Sequence, residues 1–133
     1  MKQILLILAV VMSQSVLAAD KKPLIADPIV EKAVRKSLKK PTGELTKADL
    51  ANVRKLYLAG TKITDVGLTE VGKLQNLTGL ALSDTQITDA GLKEVAKLQQ
   101  LKGLYLTGTQ ITDAGLKEVA KMKQLELLRL GST

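Results

Sequence analysis

The chain has 133 residues and a net charge of +7, and it contains neither cysteine nor histidine. This composition excludes disulfides, thiol nucleophiles, soft metal ligands and the most common general base. Two tyrosines are the only aromatic residues, so a base-stacking site for nucleic acid is not expected. The composition favours a domain that binds a partner over an enzyme that depends on a cofactor or metal.

Residues 1–18 have the pattern of a secretory signal peptide. Lys2 precedes an apolar run of nine residues over 4–12, and Val16-Leu17-Ala18 supplies a small-x-small cleavage site. The run is shorter than the about 20 residues that span a bilayer, although an uncleaved anchor is the alternative. We predict cleavage after Ala18 and a secreted or periplasmic protein that has no transmembrane segment after cleavage.

Two helical segments are predicted before residue 53. Asp27-Pro28 places a capping carboxylate before a proline at the first helical position. One face of this helix is apolar and holds Val30, Ala33, Val34 and Leu38. Thr46-x-x-Asp49 has the pattern of a capping box and predicts a second helix start.

The rest of the chain is built from a repeat of 24 residues. Residues 80–103 and 104–127 are identical at 17 of 24 positions, and the same frame reaches back to Leu56 and forward to Leu128. A fixed period of this length is typical of a solenoid of stacked units. Such arrays offer an extended surface for binding.

Each unit is predicted to hold one strand and one helix. Leu80 and Leu82 are the inward positions of the strand, and Thr88-Asp89 is predicted to cap the helix. A stripe at spacing three faces the strand and consists of Leu92, Val95, Leu98 and Leu101. Gly91, which recurs as Gly67 and Gly115, is predicted to let neighbouring backbones approach closely.

Acidic residues recur in two columns, one residue per unit. The first column is Asp65, Asp89 and Asp113. Helix N-capping explains it more simply than a calcium ladder does, so no metal site is predicted. The second column places a glutamate three residues before a lysine, in the pairs Glu70 and Lys73, Glu94 and Lys97, and Glu118 and Lys121. This spacing predicts solvated ion pairs, and no catalytic residues are predicted.

The repeat resembles the leucine-rich repeat, with the pattern LxxLxLxxTxIT and threonine at Thr61, Thr85 and Thr109, where that family has Asn or Cys. The segment ITDAGLKEVAKL resembles the helical face of ribonuclease-inhibitor-like bacterial repeats. The block that starts at Asp27-Pro28 resembles the helical N-terminal caps of internalin-like proteins.

The resemblance implies an α/β leucine-rich-repeat solenoid. A short curved parallel sheet would form the concave side, because strands lie about 4.8 Å apart whereas helices need about 8–10 Å. The helices would form the convex side. The predicted divisions are a signal peptide at 1–18, a helical N-terminal cap at 19–52, and leucine-rich repeats at 53–133, with three full units and a terminal strand.

Strand residues that point away from the core form the candidate binding surface. Tyr57 and Tyr105 lie two units apart across Ala81, and tyrosine is common among binding anchors. The alternative is that both tyrosines are ordinary strand surface residues. The candidate partner-binding residues are Lys55, Tyr57, Ala81, Ser83, Tyr105, Thr107 and Arg129. The predicted function is an exported, non-enzymatic module that binds a protein or peptide through its concave face.

Two other functions stay open. The sequence stops at Thr133, one strand into a fourth unit, so an open C-terminal edge could pair with another copy. A basic helix in the cap could instead contact acidic envelope polymers, although a solvated charged helix is the simpler interpretation. The basic residues concerned are Lys32, Arg35, Lys36, Lys39 and Lys40.

Overall fold

The computed structural model describes residues 23–131. The predicted signal peptide at 1–18 lies outside the described residues, and the division at residue 52 stays a prediction. Within residues 23–131, every helix is too short or too polar to cross a membrane.

Two helices come first, α1 (Pro28–Leu38) and α2 (Lys47–Ala51). The Asp27 carboxylate accepts the backbone N–H of Ile29 at 2.8 Å and caps α1, as predicted. α1 ends at Leu38 because Lys39 adopts a left-handed conformation with φ of 55°. Its apolar face is buried through Val30 and Val34.

The predicted capping box at the start of α2 is confirmed. Thr46 and Asp49 exchange hydrogen bonds between side chain and backbone. Lys40 also donates to the Asp49 carboxylate at 2.8 Å. The hydrogen bond from Lys40 and then that from the Thr46 backbone lower the pKa of Asp49 from 3.8 to about 2.

The unfolding free energy is therefore expected to fall in acid through Asp49. Because the folded pKa is the lower one, the unfolded chain binds more protons between pH 3.8 and about 2. The contribution of Asp49 is complete above that window and is lost as the pH falls through it. Urea unfolding at several pH values should give a shallower pH dependence for Asp49→Asn than for the wild type. Equal slopes in this window would contradict the expectation.

Four parallel strands form one sheet in chain order. They are β1 (Lys55–Tyr57), β2 (Gly79–Ala81), β3 (Gly103–Tyr105) and β4 (Leu127–Arg129). The register pairs Leu56 with Leu80, Leu80 with Leu104, and Leu104 with Leu128. Residues at the same position of the repeat thus lie side by side across the sheet.

A short helix follows each of the first three strands. These helices are α3 (Asp65–Val71), α4 (Asp89–Val95) and α5 (Asp113–Val119). They stack on one side of the sheet, and α1 packs against β1 and α3 at the first end of the stack. The predicted solenoid of strands and helices is therefore confirmed.

The core lies between the sheet and the helices, and the predicted inward stripe is buried. α4 is shorter than the stripe and ends at Val95. Leu98 and Leu101 reach the core from turns, because the N–H of Leu98 bonds the carbonyl of Val95 at 3.0 Å and leaves the α-helical pattern. Apolar spacing alone does not mark this helix end.

Threonine occupies the position where Asn or Cys was noted for the resembled family. The hydroxyl of Thr85 donates to the carbonyl of Leu82 at 2.6 Å, and that of Thr109 donates to Leu106 at the same distance. Thr85 and Thr109 are both 5% exposed. Each hydroxyl therefore returns a hydrogen bond to a carbonyl at the turn after the strand, which lets a polar side chain be buried there.

The aspartate column does not cap its own helices, so that prediction is wrong. Thr88 precedes α4 and its side chain makes no capping hydrogen bond. The carboxylate of Asp65, in the preceding unit, accepts the backbone N–H of Thr88 at 2.7 Å and also its hydroxyl. Asp89 binds Thr112 in the same way. These aspartates join successive units.

The recurring glycine makes room for this contact. A Cβ on Gly91 would stand 2.5 Å from Oδ1 of Asp65 and 2.6 Å from Cδ1 of Leu68. The approach at Gly91 is close, but the approaching atoms are side chains of the preceding unit and not its backbone as predicted. The hydroxyl and then the backbone N–H of Thr112 hold the pKa of Asp89 below its usual value, which is consistent with a carboxylate that accepts two hydrogen bonds.

The predicted ion pairs on the helical side are also present. Lys73 lies 2.6 Å from Glu70, and the same pair recurs in the next two units at 2.8 and 3.1 Å. The lysines are exposed, so each pair adds at most about 1 kcal/mol to stability. Their main effect is to neutralise charge on the convex side.

Candidate functional site

A trough of about 530 Å³ lies on the strand face, opposite the helices. Five of the seven candidate residues line it, namely Lys55, Tyr57, Ala81, Ser83 and Tyr105. Thr107 and Arg129 are not among its lining residues. These residues lie together because equivalent positions of successive repeats are register partners in the sheet.

Two glycines form the floor of the trough. Gly79 and Gly103 are register partners on β2 and β3 and point the same way as Lys55 on β1. Since neither has a side chain, the two central strands are lower than their neighbours. The aliphatic part of Lys55 leans over Gly79, with its Cγ 3.4 Å from where a Cβ would stand.

The tyrosines form two walls of different character. Tyr57 is 70% exposed and Tyr105 is 37% exposed. The Tyr105 ring lies back along its own strand, with Cε2 4.0 Å from where a Cβ on Gly103 would stand. Ala81 lies between the tyrosines in the register, which sets their backbones about 10 Å apart.

The selection of site residues from the sequence missed several that line the trough. Lys102 and Glu126 come directly before strands, outside the alternating positions that were considered, yet both line it. Leu127, an outward strand position, also lines it and is 39% exposed. One sequence signal points to the trough: the position of Lys55 in the repeat is occupied by glycine, Gly79 and Gly103, in the next two units.

The two remaining candidate residues lie toward β4. Arg129 is exposed and is the register partner of Tyr105. Thr107 follows β3 and packs against Gly131, whose Cβ would stand 2.6 Å from the Thr107 Cγ2. Within residues 23–131 no strand pairs with the outer side of β4, where Leu128 is only partly buried.

The five basic residues of the cap do not form one unpaired surface. Arg35 pairs with Glu31 at 3.0 Å, and Lys40 pairs with Asp49 at 2.8 Å. Lys32, Lys36 and Lys39 are exposed. Two of the five cations are therefore held by carboxylates of the cap itself.

Acidic side chains do not gather into a metal site in the described part of the chain, where no group of three potential ligands is present. The recurring aspartates are instead engaged with threonines, as in the pairs Asp65 with Thr88 and Asp89 with Thr112. Their oxygens bind donors of the next unit.

Stacked strand–helix units with all strands in one parallel sheet define a solenoid repeat protein. The sequence pattern of the Leucine Rich repeat family matches residues 50–72, 73–96 and 97–120. These three matches cover more than half of the chain, and the chain belongs to this family.

Two solved structures from Listeria monocytogenes are similar to the chain. Internalin C2 is 31% identical with a TM-score of 0.55, and the match covers 79% of this chain and 54% of that one. Internalin InlF is 24% identical with a TM-score of 0.58, and the match covers 87% of this chain and 40% of that one. The chain thus spans about half or less of their lengths. A search of curated protein sequences found no match.

Proposed function

We propose that this protein is an exported, non-enzymatic binding module that holds a protein or peptide in the trough on its strand face. The observation that carries the proposal is the side chain of Tyr57, which is 70% exposed above a floor made of glycines. A large aromatic side chain next to an open apolar concavity is a common arrangement at binding anchors.

The non-enzymatic part of the proposal is supported by the side chains that the chain provides. The sequence has no histidine and no cysteine. The recurring glutamates are paired with lysines on the convex side, away from the trough. Glu126 is the one carboxylate that lines the trough, and a carboxylate without a histidine, a cysteine or a second carboxylate in the same trough is a weak basis for catalysis. Export is supported by the signal-peptide pattern of residues 1–18.

Replacement of both tyrosines is expected to abolish capture of the partner. Tyr57→Ala with Tyr105→Ala removes both walls of the trough and should weaken binding by at least about tenfold, as truncation of interface anchors does. The measurement is affinity capture from a cell-envelope extract of the source organism, with the double variant and the wild type immobilised at equal density.

The matched control is Val66→Ala. Val66 is 77% exposed but lies on α3, on the helical side. The control should retain capture, and circular dichroism should be unchanged in both variants, because all three side chains are exposed. If the double tyrosine variant captures the same proteins in the same amounts as the wild type, the proposed site is wrong.

A second candidate function is self-association through β4. It is favoured by the outer edge of β4, which has no strand partner within residues 23–131 and beside which Leu128 is only partly buried. α1 covers the other end of the stack, so two copies would pair β4 to β4 in an isologous dimer. Light scattering over a hundredfold concentration range tests this, since a constant monomer mass would rule it out.

A further inference from the structure

Three cations that have no ion-pair partner within residues 23–131 lie at or beside the trough. On the helical side, Lys73 and its equivalents in the next two units are paired with glutamates, whereas Lys93 and Lys117 are not paired in the described part of the chain. Lys55 and Lys102 line the trough, and Arg129 lies beside it on β4. None of these three cations forms an ion pair within residues 23–131. Three free cations therefore surround a site that has one carboxylate of its own, Glu126.

The surface between these cations is apolar. The floor consists of Gly79 and Gly103, the walls are tyrosine rings, and Leu127 lies at the β4 side. An apolar ligand side chain placed here would be desolvated against Tyr57 and would gain contact area. A purely anionic polymer would leave this apolar surface unused. A ligand that has both carboxylates and an apolar side chain would contact the cations and the apolar surface between them.

We infer that the ligand of the trough is an acidic peptide segment in which an aromatic or aliphatic residue is flanked by Asp or Glu; this inference rests on the proposed function. The apolar side chain lies between Tyr57 and Tyr105, whose backbones are about 10 Å apart. The flanking carboxylates meet Lys55 on one side and Lys102 and Arg129 on the other. Complementary charge of this kind selects a partner and speeds association.

The first experiment selects ligands without assuming a sequence. A random peptide library displayed on phage is captured on the immobilised full-length protein, and the recovered sequences are compared with those from Tyr57→Ala with Tyr105→Ala. We expect enrichment of Asp and Glu next to an aromatic or aliphatic residue on the wild type, and loss of that enrichment on the variant.

The outcomes separate the inference from the proposed function. If neutral or basic peptides are recovered and need the tyrosines, the trough binds peptides but the acidic ligand is wrong. If an anionic glycan or polyphosphate binds at the tyrosines and no peptide does, the ligand class is wrong. If nothing that is recovered depends on the tyrosines, both the inference and the proposed function fail.

The second experiment tests the cations with a recovered peptide. Lys55→Glu with Lys102→Glu should weaken binding by about tenfold or more, because attraction becomes repulsion at both flanks. The control, Lys93→Glu with Lys117→Glu, makes the same change of net charge on α4 and α5 and should change binding by less than about threefold. Equal losses in the two variants would show an effect of net charge alone and would overturn the inference.

The dependence of peptide binding on salt concentration tests the role of the cations independently. The screening length falls from about 10 Å at 0.1 M to about 3 Å at 1 M salt, so the wild type should bind the peptide several-fold more weakly at the higher concentration. In the variant with both lysines reversed, salt screens the repulsion, so binding should instead strengthen at the higher concentration. Wild-type binding that is unaffected by salt would contradict the role of the cations.

Discussion

Replacement of Gly91 by alanine is expected to lower the free energy of unfolding by about 2–4 kcal/mol. The new Cβ would stand 2.5 Å from Oδ1 of Asp65 and 2.6 Å from Cδ1 of Leu68. Both are side-chain atoms of the preceding unit, so the clash is with the interface between units. To relieve it, Asp65 must leave the N–H of Thr88, which adds the loss of a hydrogen bond to the cost of overpacking. Urea unfolding followed by circular dichroism measures the change.

Gly72→Ala is the matched control for this prediction. Gly72 follows α3 and has φ of −59°, and the equivalent positions after α4 and α5 are already Ala96 and Ala120. The nearest atoms to its Cβ, on Glu94 and Thr69, would be 3.4 Å away. The unfolding free energy should stay the same or rise by up to about 1 kcal/mol, because alanine restricts the unfolded chain. Equal destabilisation by both substitutions would contradict the proposed clash at Gly91.

Truncation of Asp65 is expected to lower the unfolding free energy by about 1–3 kcal/mol, the cost of leaving a partly buried donor without its acceptor. The Asp65 carboxylate accepts both the backbone N–H and the hydroxyl of Thr88 from the next unit. In Asp65→Ala the N–H of Thr88 loses its acceptor at the start of α4. Because neighbouring units stabilise one another in a solenoid, this local loss should lower the midpoint of the whole transition.

Asp113 supplies an internal reference at the same position of the repeat. It also lies in the first turn of its helix, but its carboxylate makes no hydrogen bond of the kind described for Asp65 within residues 23–131. Asp113→Ala should therefore remove only the interaction of a negative charge with the helix N-terminus, about 0.3–1 kcal/mol. The difference between the two variants isolates the contact between units. Variants of equal stability would mean that the hydrogen bonds to Thr88 contribute nothing measurable.

Repetition explains why much of the fold could be predicted. Leu80 and Leu104 occupy the same place in consecutive units, and equivalent side chains can be buried together only if the units stack in register. The alternation of Leu80 and Leu82 then decides which strand residues face outward. Tyr57 and Tyr105 could therefore be assigned to one surface before any coordinates were known, although their role in binding is still a prediction.

The role of the aspartates could not be predicted in this way. A carboxylate that follows threonine at a helix start is expected to cap that helix, and the spacing of Asp65 is compatible with it. The real acceptor contact joins Asp65 to Thr88, 23 residues later. A repeat hides this distinction, since a contact within a unit and a contact to the next unit give the same periodic pattern.

The sequence by itself determined the repeat unit, the buried stripe and the residues that share the strand face, because all three follow from a fixed period and from alternation along a strand. Only the tertiary structure decided that Asp65 and Asp89 join successive units. It also decided that Lys102 and Glu126, which lie outside the alternating strand positions, line the trough. These features depend on the spacing of neighbouring units and on the direction that each side chain takes across that spacing, and a one-dimensional pattern of apolar and polar residues contains neither.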